Sequence, residues 1–270
     1  MLTTADKRAA FRKLHESGCF IIPNPFDVGS AKALHHLGFK ALASTSAGFA
    51  WTLAKADNKV TVDDVCNHLA AISAAVDIPV NADFEDGFAH EPDKVAANVA
   101  RAVKTGVSGL SIEDFTGDAA KPLFDRALAI ERIRAARKAI DADKSGVFLT
   151  GRCEAFLRGV KDMNLVIDRL TAYAEAGADC LYAPGISTKE EIATVVKAVH
   201  PRPVNLLVGA SGPSLADAGA LGVRRISVGG TLARVAWAGF MKAAAEMAEK
   251  GTFTELANGY PGGELNKMFS

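Results

Sequence analysis

Short apolar runs alternate along this chain with longer alanine-rich stretches of helical period. Eight runs have the length and composition of buried strands: Phe20–Pro23, Ala41–Thr45, Val80–Phe84, Gly109–Asp114, Val147–Glu154, Cys180–Pro184, Val204–Val208 and Arg225–Gly229. Between them, segments such as Thr61–Val76, Asp93–Lys104, Leu165–Ala176 and Lys189–Val199 carry apolar residues at helical spacing. Ser187 with Glu190 fits a capping box at the start of the last of these. Gly38, Gly106, Gly177 and Gly222 each stand two or three residues before a strand, where a helix ends and a left-handed residue is needed. This recurrence predicts eight βα units, and hence a closed (β/α)₈ TIM barrel in the α/β class. No Gly-x-Gly-x-x-Gly follows the first strand, so a dinucleotide-binding sheet has little support.

Residues 1–270 read as a single barrel domain, a length that one such barrel of about 250 residues accommodates. Residues 252–270, with Pro261-Gly262-Gly263, read as a C-terminal extension that docks loosely or contacts a partner. Two βα connections are expected to be long loops, one over residues 46–59 and one over 115–126. The second, carrying Gly117, Asp118 and Lys121, is positioned to act as a lid.

Composition narrows the classes. Apolar residues make up 49% of the chain, enough for a large core, and 31 basic residues balance 31 acidic ones. Neutrality argues against nucleic acid and anionic membranes as partners. No run reaches the roughly 18 apolar residues of a membrane span. The polar N-terminus and four scattered cysteines (Cys19, Cys66, Cys153, Cys180) suit a cytoplasmic protein with reduced thiols. Cys153 adjoins Arg152, leaving a reactive thiol and an inert core thiol as alternatives.

Chemistry concentrates at two acidic clusters, Asn81-Ala82-Asp83-Phe84-Glu85 and Ser111-Ile112-Glu113-Asp114. Each ends an apolar run, and neighbouring strand ends lie about 4.8 Å apart, near enough for Asp83 and Glu113 to share a cation. Mg²⁺, with Mn²⁺ as substitute, suits few carboxylates and several waters. Alternation predicts Asn81, Asp83 and Glu85 on one face, with Asn81 orienting a bound water and Glu85 bracing a neighbour. The competing reading has these acids capping the following helices or pairing with lysines on the rim, and for Asp114 that reading is preferred. Arg152 in the fifth run offers a fork for a substrate carboxylate, with Glu154 holding it; the alternative is an ion pair with Glu154 or Glu113. Ser44, Thr45, Ser46 and Ala47 before Gly48 could present donors to an anion, and Asn205 could reach the same cavity. Gly209-Ala210-Ser211-Gly212 and Gly229-Gly230 read equally as a phosphate site or as turn glycines. Of the six histidines only His90 lies near the rim, and no triad or zinc pattern is present.

These residues resemble the isocitrate lyase/phosphoenolpyruvate mutase superfamily over nearly the whole chain. Pro23-Asn24-Pro25-Phe26-Asp27, Asn81 to Gly87, Gly109 to Asp114, Gly151 to Phe156 and Pro203 to Leu207 carry the resemblance. It implies a barrel whose last helix is often exchanged between subunits, in a dimer-of-dimers homotetramer. It also implies an Mg²⁺-bound α-keto acid or enolate. By position, Thr45, Ser46 and Ala47 match the oxyanion turn, Asp57, Asn81, Asp83 and Glu113 the metal network, and Arg152 the substrate arginine. The chain departs from the family's isocitrate-cleaving members in lacking the Lys-Lys-Cys-Gly-His lid motif. It departs from the phosphonate mutases at Asn81, where they carry aspartate, at Pro184, where they carry histidine, and in lacking a Lys-x-Asn lid signature. The expectation is therefore an Mg²⁺-dependent lyase that breaks a C–C bond in a small α-keto or hydroxy dicarboxylate. It would be a retro-aldol lyase or an oxaloacetate-type decarboxylase, using Arg152, Glu113 and Glu85. C–P chemistry of the mutase or phosphonopyruvate hydrolase kind is one alternative, and a non-catalytic α-keto acid-binding barrel is the other.

Overall fold

A computed structural model describes residues 2–270. Eight parallel strands are present: β1 (Phe20–Ile21), β2 (Leu42–Ala43), β3 (Val80–Asp83), β4 (Gly109–Glu113), β5 (Phe148–Arg152), β6 (Cys180–Tyr182), β7 (Val204–Leu207) and β8 (Arg225–Ser227). Each pairs with its neighbour in sequence from β2 to β8, and β8 pairs with β1. At the remaining seam the Ala43 N–H donates to the Pro23 carbonyl at 3.0 Å. The buried Asn24 carboxamide reinforces that seam. It donates to the Ser44 carbonyl and accepts from the N–H groups of Val228 and Gly229. The sheet is thus the expected (β/α)₈ barrel.

The helices are α1 (Thr4–Leu14), α2 (Val28–His36), α3 (Ser46–Thr52), α4 (Val62–Ala75), α5 (Pro92–Lys104), α6 (Arg126–Ala142), α7 (Met163–Glu175), α8 (Lys189–Val199), α9 (Leu215–Ala220), α10 (Thr231–Lys250) and α11 (Gly262–Phe269). Gly38, Gly106, Gly177 and Gly222 have φ between 87° and 106°, as the helix-terminating role requires. Two local expectations are corrected. The capping box of α8 uses Thr188 and Glu191, one residue beyond Ser187 and Glu190. Residues 46–52 form α3 instead of loop, capped by the Thr45 hydroxyl on the Gly48 N–H.

The core has two compartments. A shell between strands and helices runs from Leu42 and Leu69 through Ile112, Ile133 and Leu181 to Ile226. A smaller cluster, Phe11, Ile22, Ala41, Ala43, Phe148 and Cys180, fills the amino-terminal end of the barrel. Helix α1 plugs that end. Its Phe11 meets the Phe148 ring edge-on, and His15 stacks on Phe148 at 4.1 Å. Above this apolar base lies a layer of inward polar residues, and the carboxyl end of the barrel opens as a cavity.

Helix α10 and the segment after it project a different face. Val235, Trp237, Phe240, Met241, Phe253, Leu256 and Tyr260 are all exposed, and Ala233 alone on α10 is buried. Among the described residues no helix is long and apolar enough to cross a membrane.

Candidate active site

The carboxyl-end cavity has a volume of about 180 Å³, below the 300–1,000 Å³ of pockets for larger ligands and suited to a small carboxylate. Ser44, Thr45, Ser46, Ala47, Asp57, Asn81, Asp83, Arg152 and Asn205 all line it, as do Asn24, Tyr182, Arg225, Gly229 and Gly230. Strand alternation explains the set. Asn81 and Asp83 on β3, Ser111 on β4, Arg152 on β5 and Tyr182 on β6 point inward while their neighbours fill the shell.

Asp83 and Glu113, expected to share a divalent cation, both pair with the Arg152 guanidinium. Each carboxylate lies 3.3 Å from its Nη1, and Glu154 accepts from its Nε at 2.5 Å. Tyr182 places its ring 5.0 Å from the guanidinium. Burial opposes the Arg152 charge. Glu113, Glu154, Tyr182 and Asp83 more than reverse that effect and hold the arginine protonated. Burial, helped by Glu154, Asp83 and Glu85 against the pull of Arg152, raises Glu113 well above the usual carboxylate range.

Glu85 departs from the expected face. Its backbone turns left-handed at φ 45°, two residues past the end of β3, and its side chain lines a second cavity with Glu113, Asp86 and His90. There Glu85 is pushed up to about 8 by burial and by Asp83, Asp57 and Asp86, and its Oε1 has no hydrogen-bond partner among the described residues. His90 touches the Phe124 ring edge-on in the same region. Asp114 is structural, although it neither caps a helix nor pairs with a lysine: it accepts from Arg169, Tyr173 and the Glu154 N–H in a buried network. Cys153 is fully buried beside it, and burial holds its thiol protonated.

The Thr45–Ala47 turn is the amino end of α3. The Ser46 N–H is already taken by Asp83 at 3.0 Å, and the Ser44 hydroxyl accepts from the Asp83 N–H at 2.8 Å. Asn205 lines the cavity, but its amide is committed to the Ser227 hydroxyl and to Arg225. Gly229 gives its N–H to Asn24, and residues 209–212 lie outside the cavity lining. Gly117, Asp118 and Lys121 are not brought to the main cavity. Residues 115–125 form a hairpin-like loop held by a Phe115–Leu123 bridge and by the Thr116 N–H on the Pro122 carbonyl. Arg158 lies 3.5 Å over the Phe115 ring and also pairs with Glu154, linking the base of this loop to the arginine site.

Of the four residues expected to hold a divalent cation, Asp57, Asp83 and Asn81 line the cavity, with the Ser44 and Ser111 hydroxyls nearby, whereas Glu113 lines the second cavity. Among the described residues no three His, Cys, Asp or Glu side chains converge as a complete cage. Two carboxylates and neutral oxygens fit a hard cation that keeps much of its water, the usual arrangement for Mg²⁺. Arg225 was missed in the sequence. An Arg at the first position of a strand, after another Arg, reads as a rim charge, whereas it is buried under the cavity.

Known proteins share this sequence family and this barrel. The family model described as phosphoenolpyruvate phosphomutase matches residues 11–248. A solved putative lyase/mutase from Burkholderia cenocepacia is 46% identical, with TM-score 0.95 over 98% of this chain and 97% of that one. An uncharacterized protein of Mycobacterium tuberculosis is 35% identical across 82% of this chain and 81% of its own. An oxaloacetate decarboxylase of Paraburkholderia xenovorans is 27% identical across 83% and 75%. The structure of a 2,3-dimethylmalate lyase matches at TM-score 0.86 and 27% identity, over 99% and 95%. With a shared barrel and a family match over most of its length, the chain belongs to the phosphoenolpyruvate mutase/isocitrate lyase superfamily, whose members related to it include C–C lyases.

Proposed function

We propose that this protein is a lyase that decarboxylates an oxaloacetate-like α-keto dicarboxylate. The observation that carries the reading is Arg152. It is a permanently charged fork fixed by three carboxylates at the wall of a cavity that fits a small acid. It would grip a carboxylate and set the plane of the keto acid. A bound Mg²⁺, held at Asp83, Asp57 and Asn81, would supply Lewis-acid polarisation of the keto group. The Ala47 N–H at the α3 terminus would face the developing enolate oxygen. Departure of CO₂ needs no protein base to begin, which suits a 115–126 loop without a cysteine. Retro-aldol cleavage is the second reading. It is favoured by one observation, the buried Glu85 carboxyl whose Oε1 has no partner and could exchange a proton. The C-terminal apolar face supports a homo-oligomer, and four free cysteines support a reducing compartment such as the cytoplasm.

The test is pyruvate release from oxaloacetate, coupled to lactate dehydrogenase, with MgCl₂ or MnCl₂ and then with EDTA, above the enzyme-free rate. Methylisocitrate and dimethylmalate run in parallel. Oxaloacetate turnover abolished by EDTA supports the decarboxylase, and turnover of the hydroxy acids alone shifts the assignment to the retro-aldol lyase. Mg²⁺-dependent binding without turnover of any acid would make the barrel a binder.

A further inference from the structure

Three arginines are buried: Arg132, Arg169 and Arg225. Arg132 has Asp86 at 3.7 Å and Arg169 has Asp114 at 3.0 Å. Arg225, 3% exposed, has no carboxylate within 4.0 Å among the described residues. Its contacts are all neutral. Nε donates to Asn205 Oδ1 at 2.8 Å, Nη2 to Thr150 Oγ1 at 2.9 Å, and Nη1 faces His15 Nε2 at 3.4 Å and Asn81 Oδ1 at 3.5 Å. A buried charge without a counter-charge is costly, and proteins retain one where a ligand supplies the opposite sign.

The position of Arg225 indicates which ligand. It belongs to the polar layer on which the active-site cavity rests, and it lines that cavity. The other guanidinium there, Arg152, shares its Nη1 with Asp83 and Glu113 and its Nε with Glu154, which leaves Nη2 for a ligand. The positive charge of the cavity that has no carboxylate partner is therefore at its floor. The Asn205, Thr150, Asn81 and His15 contacts fix the guanidinium plane, so little ordering remains when an anion arrives.

We infer that Arg225 forms a second anion subsite, at the cavity floor, which receives one carboxylate of a dicarboxylate while Arg152 receives the other. The inference rests on the dicarboxylate reading of the cavity and names the side chain that holds the second carboxylate. Its test needs no turnover, so it stands or falls separately from the proposed decarboxylation. Binding of malate and of lactate, which differ by one carboxylate, is measured by calorimetry on the full chain with Mg²⁺ present. The wild type should prefer malate. Arg225→Met should shrink that preference by about 10- to 100-fold, the worth of one charge-assisted contact, while lactate affinity holds. Arg225→Gln keeps a polar group for Asn205 and Thr150 and should show the same loss should the methionine variant not fold. Arg225→Lys should retain most of the preference. A wild type that binds both acids equally, or neutral variants that keep the malate preference, would overturn the inference and leave Arg225 a purely structural cross-brace.

Discussion

Acidification should weaken this fold through His15, at the closed end of the barrel. The imidazole is 7% exposed, stacked on Phe148, with Nδ1 2.8 Å from the Phe11 carbonyl and Nε2 facing Arg225. That arrangement suits a neutral ring with its proton on Nδ1. Burial first, and the Arg225 guanidinium second, lower it from 6.5 to about 3, against the opposing pull of the Phe11 carbonyl. Above pH 6.5 neither the folded nor the unfolded chain protonates this ring, and its full contribution is present. Between pH 6.5 and 3 only the unfolded chain takes the proton, so stability falls as pH falls, by about 1.4 kcal/mol per unit. At pH 5 the loss is about 2 kcal/mol. His68, stacked on Phe49 and lowered to about 4 chiefly by burial, adds in the same direction, so the measurement must be differential. Urea unfolding of the wild type and of His15→Phe at pH 7.5 and pH 5 isolates the term. The variant loses fixed contacts at both pH values, but its free energy should fall about 2 kcal/mol less on acidification. Parallel pH profiles for the two proteins would refute the assignment.

Other outcomes are as definite. Arg152→Lys should lower kcat/KM for oxaloacetate by about 100-fold, because an ammonium cannot reproduce the fork now shared among Asp83, Glu113 and Glu154, while the melting temperature changes little. Asp114→Ala should cost about 3–5 kcal/mol in urea unfolding, since it strands Arg169 and Tyr173 without their carboxylate. Light scattering at micromolar protein should give a mass of two or four chains, and Phe240→Asp, on the exposed face of α10, should shift it toward one. A wild-type monomer at that concentration would remove the proposed oligomer.

The strands and their order were readable because a parallel barrel buries both faces of each strand, leaving unbroken apolar runs, and because Gly38, Gly106, Gly177 and Gly222 mark helix ends just before four of them. Asp83 and Arg152 were readable for the converse reason: a charged side chain ending such a run has to face the one polar opening. Short-range choices were less legible. Ser187/Glu190 and Thr188/Glu191 have identical spacing, and only the docking of Ile192 and Val195 on the barrel decides between them. Helix α3 spans seven residues with Gly48 inside, too short for a periodicity to register. Glu85 would share a face with Asp83 only if strand alternation continued to it, and β3 stops at Asp83. That Asp83 and Glu113 meet at Arg152 is a three-strand property, invisible in any single segment.

The Asn24 carboxamide has a consequence for how the chain must assemble. It clasps one partner 20 residues away, at Ser44, and two others 204 and 205 residues away, at Val228 and Gly229. The ring therefore stays unlatched until almost the whole polypeptide has emerged. Any shorter nascent product would carry a ragged edge at β1, exposed to the pairing that leads to misassembly.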